Sequence, residues 1–101
     1  MNRFENWMEK TFEPSELNDI AKHGADAGWR ELTYTKHIFE HMHEYEDDIC
    51  SIVEEVEPIY EAFAAHCKRR KLSGSPTDYA HWLVWSAAEL TAYKLTEEVE
   101  S

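Results

Sequence analysis

Ile38, Met42, Tyr45, Ile49, Ile52, Val56 and Ile59 follow one another at steps of 4, 3, 4, 3, 4 and 3 residues. A helix turns by about 100° per residue, so this spacing keeps all seven side chains on one stripe, whereas a strand would scatter them over two faces. The spacing predicts a long amphipathic helix opening near Lys36. Pro58 removes a backbone donor and disfavours helical geometry at Glu57, so the helix kinks there or restarts with Pro58 in a first turn. Phe63, Ala64 and Cys67 extend an apolar face toward Lys71.

The rest of the chain reads as helix too. Phe4, Trp7, Met8 and Thr11 recur at helical spacing, and Glu13-Pro14-Ser15 then punctuates, with Pro14 suited to the first turn of a second short helix ending near His23 at Gly24. Residues 25–35 lack a clean period and are expected to form a structured loop. Leu72-Ser73-Gly74 closes the middle of the chain. Ser75 as cap, Pro76 at the first position and Asp78 in the first turn then open a last helix running to about Glu97. Tyr79, Trp82, Leu83, Leu90 and Tyr93 are its core-facing candidates, with Trp85 and Ala87 widening the stripe. The expected fold is all-α: a small bundle of four to five helices in a single domain over residues 1–101, with one long acidic amphipathic helix kinked or broken near Pro58.

Composition narrows the function. The 101 residues include 21 acidic against 10 basic side chains, for a net charge of −11, yet four Trp, five Tyr and four Phe are too many aromatics for a disordered acidic tail. This charge repels phosphate, so direct binding to nucleic acid or an anionic membrane is not expected, while a basic surface would be attracted. No run of about 18 uncharged apolar residues occurs, and Arg3, Glu5, Glu9 and Lys10 stand where a signal peptide needs an apolar stretch. The expected location is the cytoplasm. Cys50 and Cys67 fit no C-x-x-C spacing and are expected as reduced thiols.

No Lys or Arg lies between Lys36 and Lys68, an interval that holds Glu40, Glu44, Glu46, Asp47, Asp48, Glu54, Glu55, Glu57 and Glu61. Glu40, Glu44, Asp47, Glu54 and Glu61 each follow an apolar position by two residues, about 200° around a helix, so on one continuous helix they form a row opposite the core stripe. That row would span on the order of 30 Å with neighbours roughly 5 to 6 Å apart, a spacing able to imitate a line of phosphates. A solvated face is the plainer reading of a charge run. Against it, like charges at i, i+4 cost a few tenths of a kcal/mol per pair, and ordinary exposed helices intersperse their signs.

His37 and His41, four apart, share a helix face as two metal ligands would, but no Glu directly follows His37 and no third ligand is specified. Titratable surface histidines are the plainer reading, and a small metal-binding or hydrolytic domain built on this pair is kept as an alternative. Lys68-Arg69-Arg70-Lys71 complements a helix C-terminus, and contact with the acidic row, within the chain or across a dimer, is a second role. Ser73, Ser75 and Ser86 lack a nucleophile-elbow context, and nothing in the spacing selects a catalytic cysteine.

Lys22-His23-Gly24 with Gly28-Trp29-Arg30-Glu31-Leu32-Thr33-Tyr34, and Trp82-Leu83-Val84-Trp85-Ser86-Ala87-Ala88-Glu89 with Ala92-Tyr93, flank an acidic Tyr-containing helix. In these stretches the chain resembles a family of small, uncharacterised acidic helical proteins encoded by phages and prophages, departing from it over Pro58 to Ser75. The resemblance lends no catalytic residues. It implies a phage setting, in which small acidic proteins often inhibit host defence, as anti-CRISPR and anti-restriction DNA mimics do.

The expectation is a non-enzymatic inhibitor without cofactor or metal, acting in the bacterial host cytoplasm. Its partner would be a basic nucleic-acid-binding protein of a defence complex, engaged through Glu40, Glu44, Asp47, Asp48, Glu54 and Glu55. The segment around Gly28-Trp29-Arg30 is expected to serve packing first. A purely structural helical oligomer is the third alternative, and a homodimer is left open.

Overall fold

A computed structural model describes residues 2–23 and 38–100. They form five α-helices: α1 (Arg3–Thr11), α2 (Pro14–His23), α3 (Glu46–Glu54), α4 (Ile59–Arg70) and α5 (Pro76–Glu100). A short 3-10 helix, Met42–Tyr45, precedes α3, and no strand occurs among the described residues. The expected small all-α bundle is what forms. The loop expected over residues 25–35, including Gly28, Trp29 and Arg30, lies outside the described residues, as does His37.

Local chemistry accounts for most helix ends. At α1 the Asn2 side-chain oxygen accepts the Glu5 N–H at 3.0 Å while the Glu5 carboxylate accepts the Asn2 N–H at 2.9 Å, a reciprocal cap. The Glu16 carboxylate accepts the Glu13 N–H at 2.9 Å at the start of α2. α4 ends with Lys71 in the left-handed conformation, φ 57°, and the Leu72 N–H donating back to the Cys67 carbonyl at 3.0 Å. Gly74, at φ 81°, supplies the second left-handed residue that the reversal into α5 needs. Ser75 Oγ then accepts the Asp78 N–H at 3.1 Å and Asp78 accepts the Ser75 N–H at 3.3 Å, the cap its sequence announces.

The hub is α5, which packs against all four other helices. Its consecutive residues Trp82, Leu83, Val84 and Trp85 are all buried, and four successive residues of a helix point to every side. α5 is therefore enclosed around this turn rather than laid on a core by one stripe. Ala87, Ala88, Ala92 and Leu95 carry the buried surface onward, whereas Leu90 is half-buried and Tyr93 is 48% exposed. The expected stripe through Leu90 and Tyr93 is thus displaced, because small alanines face the tightest contacts and the larger residues border solvent. Phe4 and Met8 of α1, Leu17, Ile20 and Ala21 of α2, and Ile49, Ile52 and Val53 of α3 complete the core with Ile38.

One buried group costs stability. The Thr91 hydroxyl is enclosed, with the residue 1% exposed, and has no hydrogen-bond partner among the described residues. Thr91→Val keeps the shape and the β-branching while removing an unsatisfied polar atom, so it should stabilise the fold by about 1 kcal/mol. A urea midpoint that stays put or falls would contradict this.

The long acidic helix is broken twice. The break at Pro58 is the expected one: α3 stops at Glu54, and Pro58 sits at the N-cap of α4. The other break corrects the single-helix expectation. Residues 38–40 are helical, His41 is a turn, Met42–Tyr45 is 3-10 with Glu44 N–H bonded to the His41 carbonyl at 3.1 Å, and α3 starts only at Glu46. Restarting there places Glu46, Asp47 and Asp48 in a first turn, where the helix dipole favours negative charge. The apolar stripe is cut accordingly: Ile38, Ile49 and Ile52 are buried, Met42, Tyr45 and Ile59 half-buried, and Val56 is 62% exposed because the chain has left helical geometry before reaching it. In α4 the buried positions are Ala62 and His66, with Phe63 and Cys67 beside them, while Ala64 faces out, contrary to its expected place on the apolar face.

Candidate functional site

The acidic surface is built from three short pieces rather than one continuous row. Glu40 ends the helical residues 38–40, Glu44 lies in the 3-10 helix, Glu46 and Asp47 open α3, and Glu54 and Glu55 stand at its other end. All six are exposed, and none of them takes part in an ion pair among the described residues. The single continuous helical row of carboxylates expected over about 30 Å is therefore interrupted by the turn and 3-10 helix at 41–45.

Asp48 behaves differently. Its carboxylate accepts Arg3 Nε at 3.0 Å, its backbone carbonyl accepts the Asn2 side-chain amide at 3.0 Å, and Arg3 Nη2 donates to the Glu44 carbonyl at 2.8 Å. The same guanidinium lies 5.4 Å from the centre of the Tyr45 ring. Trp7 packs between α1 and this segment, its ring 5.0 Å from that of His41 and 6.0 Å from that of Tyr45. Arg3 thus ties α1 to a carbonyl next to the helix break and to Asp48. Asp48 is a structural carboxylate first.

The other described tie is Glu5, buried in α1. Lys94 Nζ of α5 donates to Glu5 Oε2 at 3.0 Å while Glu5 Oε1 caps α1. Burial pushes the Glu5 carboxyl up, but the Asn2 backbone bond and the Lys94 ammonium outweigh it and hold the carboxyl below its ordinary value near 4.5. A depressed folded-state value means a contribution present above the unfolded value and lost as pH falls through the folded one. Glu5→Gln keeps an acceptor for the cap and removes the charge, so it should cost about 1 kcal/mol at pH 7. The gap between wild type and variant should close once the pH drops well below 4.5. A gap independent of pH in urea titrations would refute the ionic origin.

Cys50 reports the field of the segment. Burial and then the charges of Glu54, Glu46 and Asp47 push its thiol up, and burial followed by Cys50, Glu46 and Glu54 does the same for the Tyr79 hydroxyl. A thiol held protonated is a poor nucleophile, which weighs against covalent chemistry at Cys50. His41 is packed on Trp7, and among the described residues no group of three His, Cys, Asp or Glu is placed to hold a metal ion. The basic block Lys68, Arg69, Arg70 and Lys71 lies exposed at the C-terminal end of α4, where it complements the dipole. No helix among the described residues is long and apolar enough to cross a membrane.

The sequence reading missed the ties through Asn2, Arg3 and Glu5. Asn2 followed three residues later by Glu5 is itself a capping signature, whereas the reach of Arg3 to Asp48 spans 45 residues and has no local signal.

Fold and surface together define a small all-α bundle with an exposed acidic segment pinned by its first helix. The chain belongs to the family described as Domain of unknown function (DUF7222), which it matches over residues 1–101. No curated protein and no solved structure was found to match it.

Proposed function

We propose that the protein is a phage-encoded, non-enzymatic inhibitor of a bacterial defence system, of the anti-CRISPR or anti-restriction kind. It works in the host cytoplasm by occupying a basic nucleic-acid-binding surface. The observation that carries this reading is the exposure of Glu40, Glu44, Glu46, Asp47, Glu54 and Glu55 without ion-pair partners among the described residues, in an interval free of Lys and Arg. Such a surface repels nucleic acid and steers a cationic groove toward itself. Arg3 ties the segment to α1 through Asp48 and the Glu44 carbonyl, so part of it is held in place before a partner arrives.

The test is capture of host proteins on the tagged chain at low and then high salt. A basic nuclease or CRISPR subunit, released by salt and displaced by added DNA, is the expected catch. Capture of proteins that DNA does not displace, or of no nucleic-acid-binding protein, would overturn the mimicry.

A further inference from the structure

The elbow between α3 and α4 turns apolar side chains outward inside the acidic interval of the chain. Residues 54–58 are all exposed, among them Val56 at 62% and Pro58. Tyr60, two residues on, is 84% exposed, more than any other large hydrophobic residue among those described. Four peptide units join Val56 to Tyr60, at most about 14 Å of chain. Tyr60 stands in the first turn of α4, where helical side chains lean toward the N-terminal end of their helix and so toward the elbow. The backbone on both sides is held. The Val56 and Glu57 N–H groups donate to the Val53 carbonyl at 3.1 and 3.2 Å, and the Ala62 N–H donates to the Pro58 carbonyl at 3.0 Å. Val53 and Ala62 are themselves buried.

Charge selects what can cover these side chains. Glu54, Glu55, Glu57 and Glu61 are exposed around them, and no Lys or Arg lies between Lys36 and Lys68. Lys68 itself is eight residues beyond Tyr60, about 12 Å farther along α4. A second copy of the chain would set four carboxylates against four, and nucleic acid or an anionic membrane would be repelled in the same way. A cationic protein surface is attracted.

We propose that the elbow docks into a protein surface on which Lys and Arg side chains surround an apolar depression. Tyr60 and Val56 enter the depression, and the four glutamates meet the cations around it. That is the anatomy of a protein interface, an apolar centre inside a polar rim, and tyrosine is among the residues that contribute most at such centres. The inference rests on the inhibitor reading for where such a partner is found. It adds a contact that charge mimicry does not supply and that salt does not screen.

Titration of the full chain with two peptides, followed by NMR, tests the proposal. One is hexalysine, and the other has the same six lysines with two leucines in the middle. The leucine peptide should bind about tenfold more tightly, the gain from partly burying its side chains, and the amide shifts should centre on residues 54–61. Tyr60→Ser and Val56→Ser should each remove most of that advantage without moving the unfolding midpoint, whereas Tyr60→Phe should keep it. Tyr93→Ser, at the third exposed large hydrophobic residue, should keep it as well. No binding of either peptide, equal affinities for the two, an undiminished advantage in both serine variants at residues 56 and 60, or an equal loss in Tyr93→Ser would overturn the proposal. The mimicry is judged separately, by whether DNA displaces the captured host protein, so either idea can fail while the other stands.

Discussion

Trp85→Ala should lower the unfolding free energy by about 3–5 kcal/mol, the largest effect expected of any single substitution in this chain. Trp85 is completely buried, the largest of the enclosed side chains, and lies on the helix that touches every other. Truncation loses the transfer energy of the indole and leaves a void that the surrounding helices fill only in part. A domain of this length has about 5–15 kcal/mol to lose, so the variant would keep its helical signature at room temperature only with a narrow margin. Urea unfolding followed by circular dichroism measures it. A loss below about 1 kcal/mol would mean that the site collapses freely and that α5 is not the enclosed centre described above.

Reversing charge on the acidic surface should separate binding from folding. Glu44→Lys, Asp47→Lys and Glu54→Lys together change the charge of the segment by six units, at side chains that are exposed and have no ion pair among the described residues. The complex with a basic partner should weaken by several kcal/mol, more than about a hundredfold, while the unfolding midpoint shifts little. Asp48 is left out of the set because its replacement by Lys would set an ammonium against Arg3 and loosen α1 from the acidic segment. Asp48→Lys serves as the contrasting variant, with a loss of stability as its readout. Unimpaired binding by the triple variant, measured by competition with DNA for the captured protein, would end the mimicry reading.

How much of this was legible in the sequence depends on whether the cause is local. The cap at Ser75, the first-turn Pro76 and the interruption at Pro58 follow from the chemistry of neighbouring residues and appear where the sequence puts them. The break at His41 does not. The apolar period runs through it without a flaw, and the contacts made there, the Trp7 ring 5.0 Å from that of His41 and Arg3 Nη2 on the Glu44 carbonyl, come from residues more than thirty positions away in sequence. Periodicity describes a helix by itself and cannot register a partner that rewards leaving it. The same limit explains α5, whose stripe was read as one-sided because enclosure on all sides has no period. For the acidic surface, the exposure of Glu40, Glu44, Asp47, Glu54 and Glu55 follows from their charge, whereas the structural use of Asp48 depends on Arg3 and could not be read locally.

The position of α5 in the chain has a kinetic consequence. The helix that all the others lean on is the last of them to leave the ribosome, so α1 to α4 must wait with their apolar faces uncovered while some thirty further residues are added, a delay of seconds at ordinary synthesis rates. The pairing of Glu5 with Lys94 closes a loop of 89 residues, a long separation for a helical protein, and the entropy of that closure falls on the folding barrier. Nascent chains stalled before Pro76 should therefore be protease-sensitive along their whole exposed length.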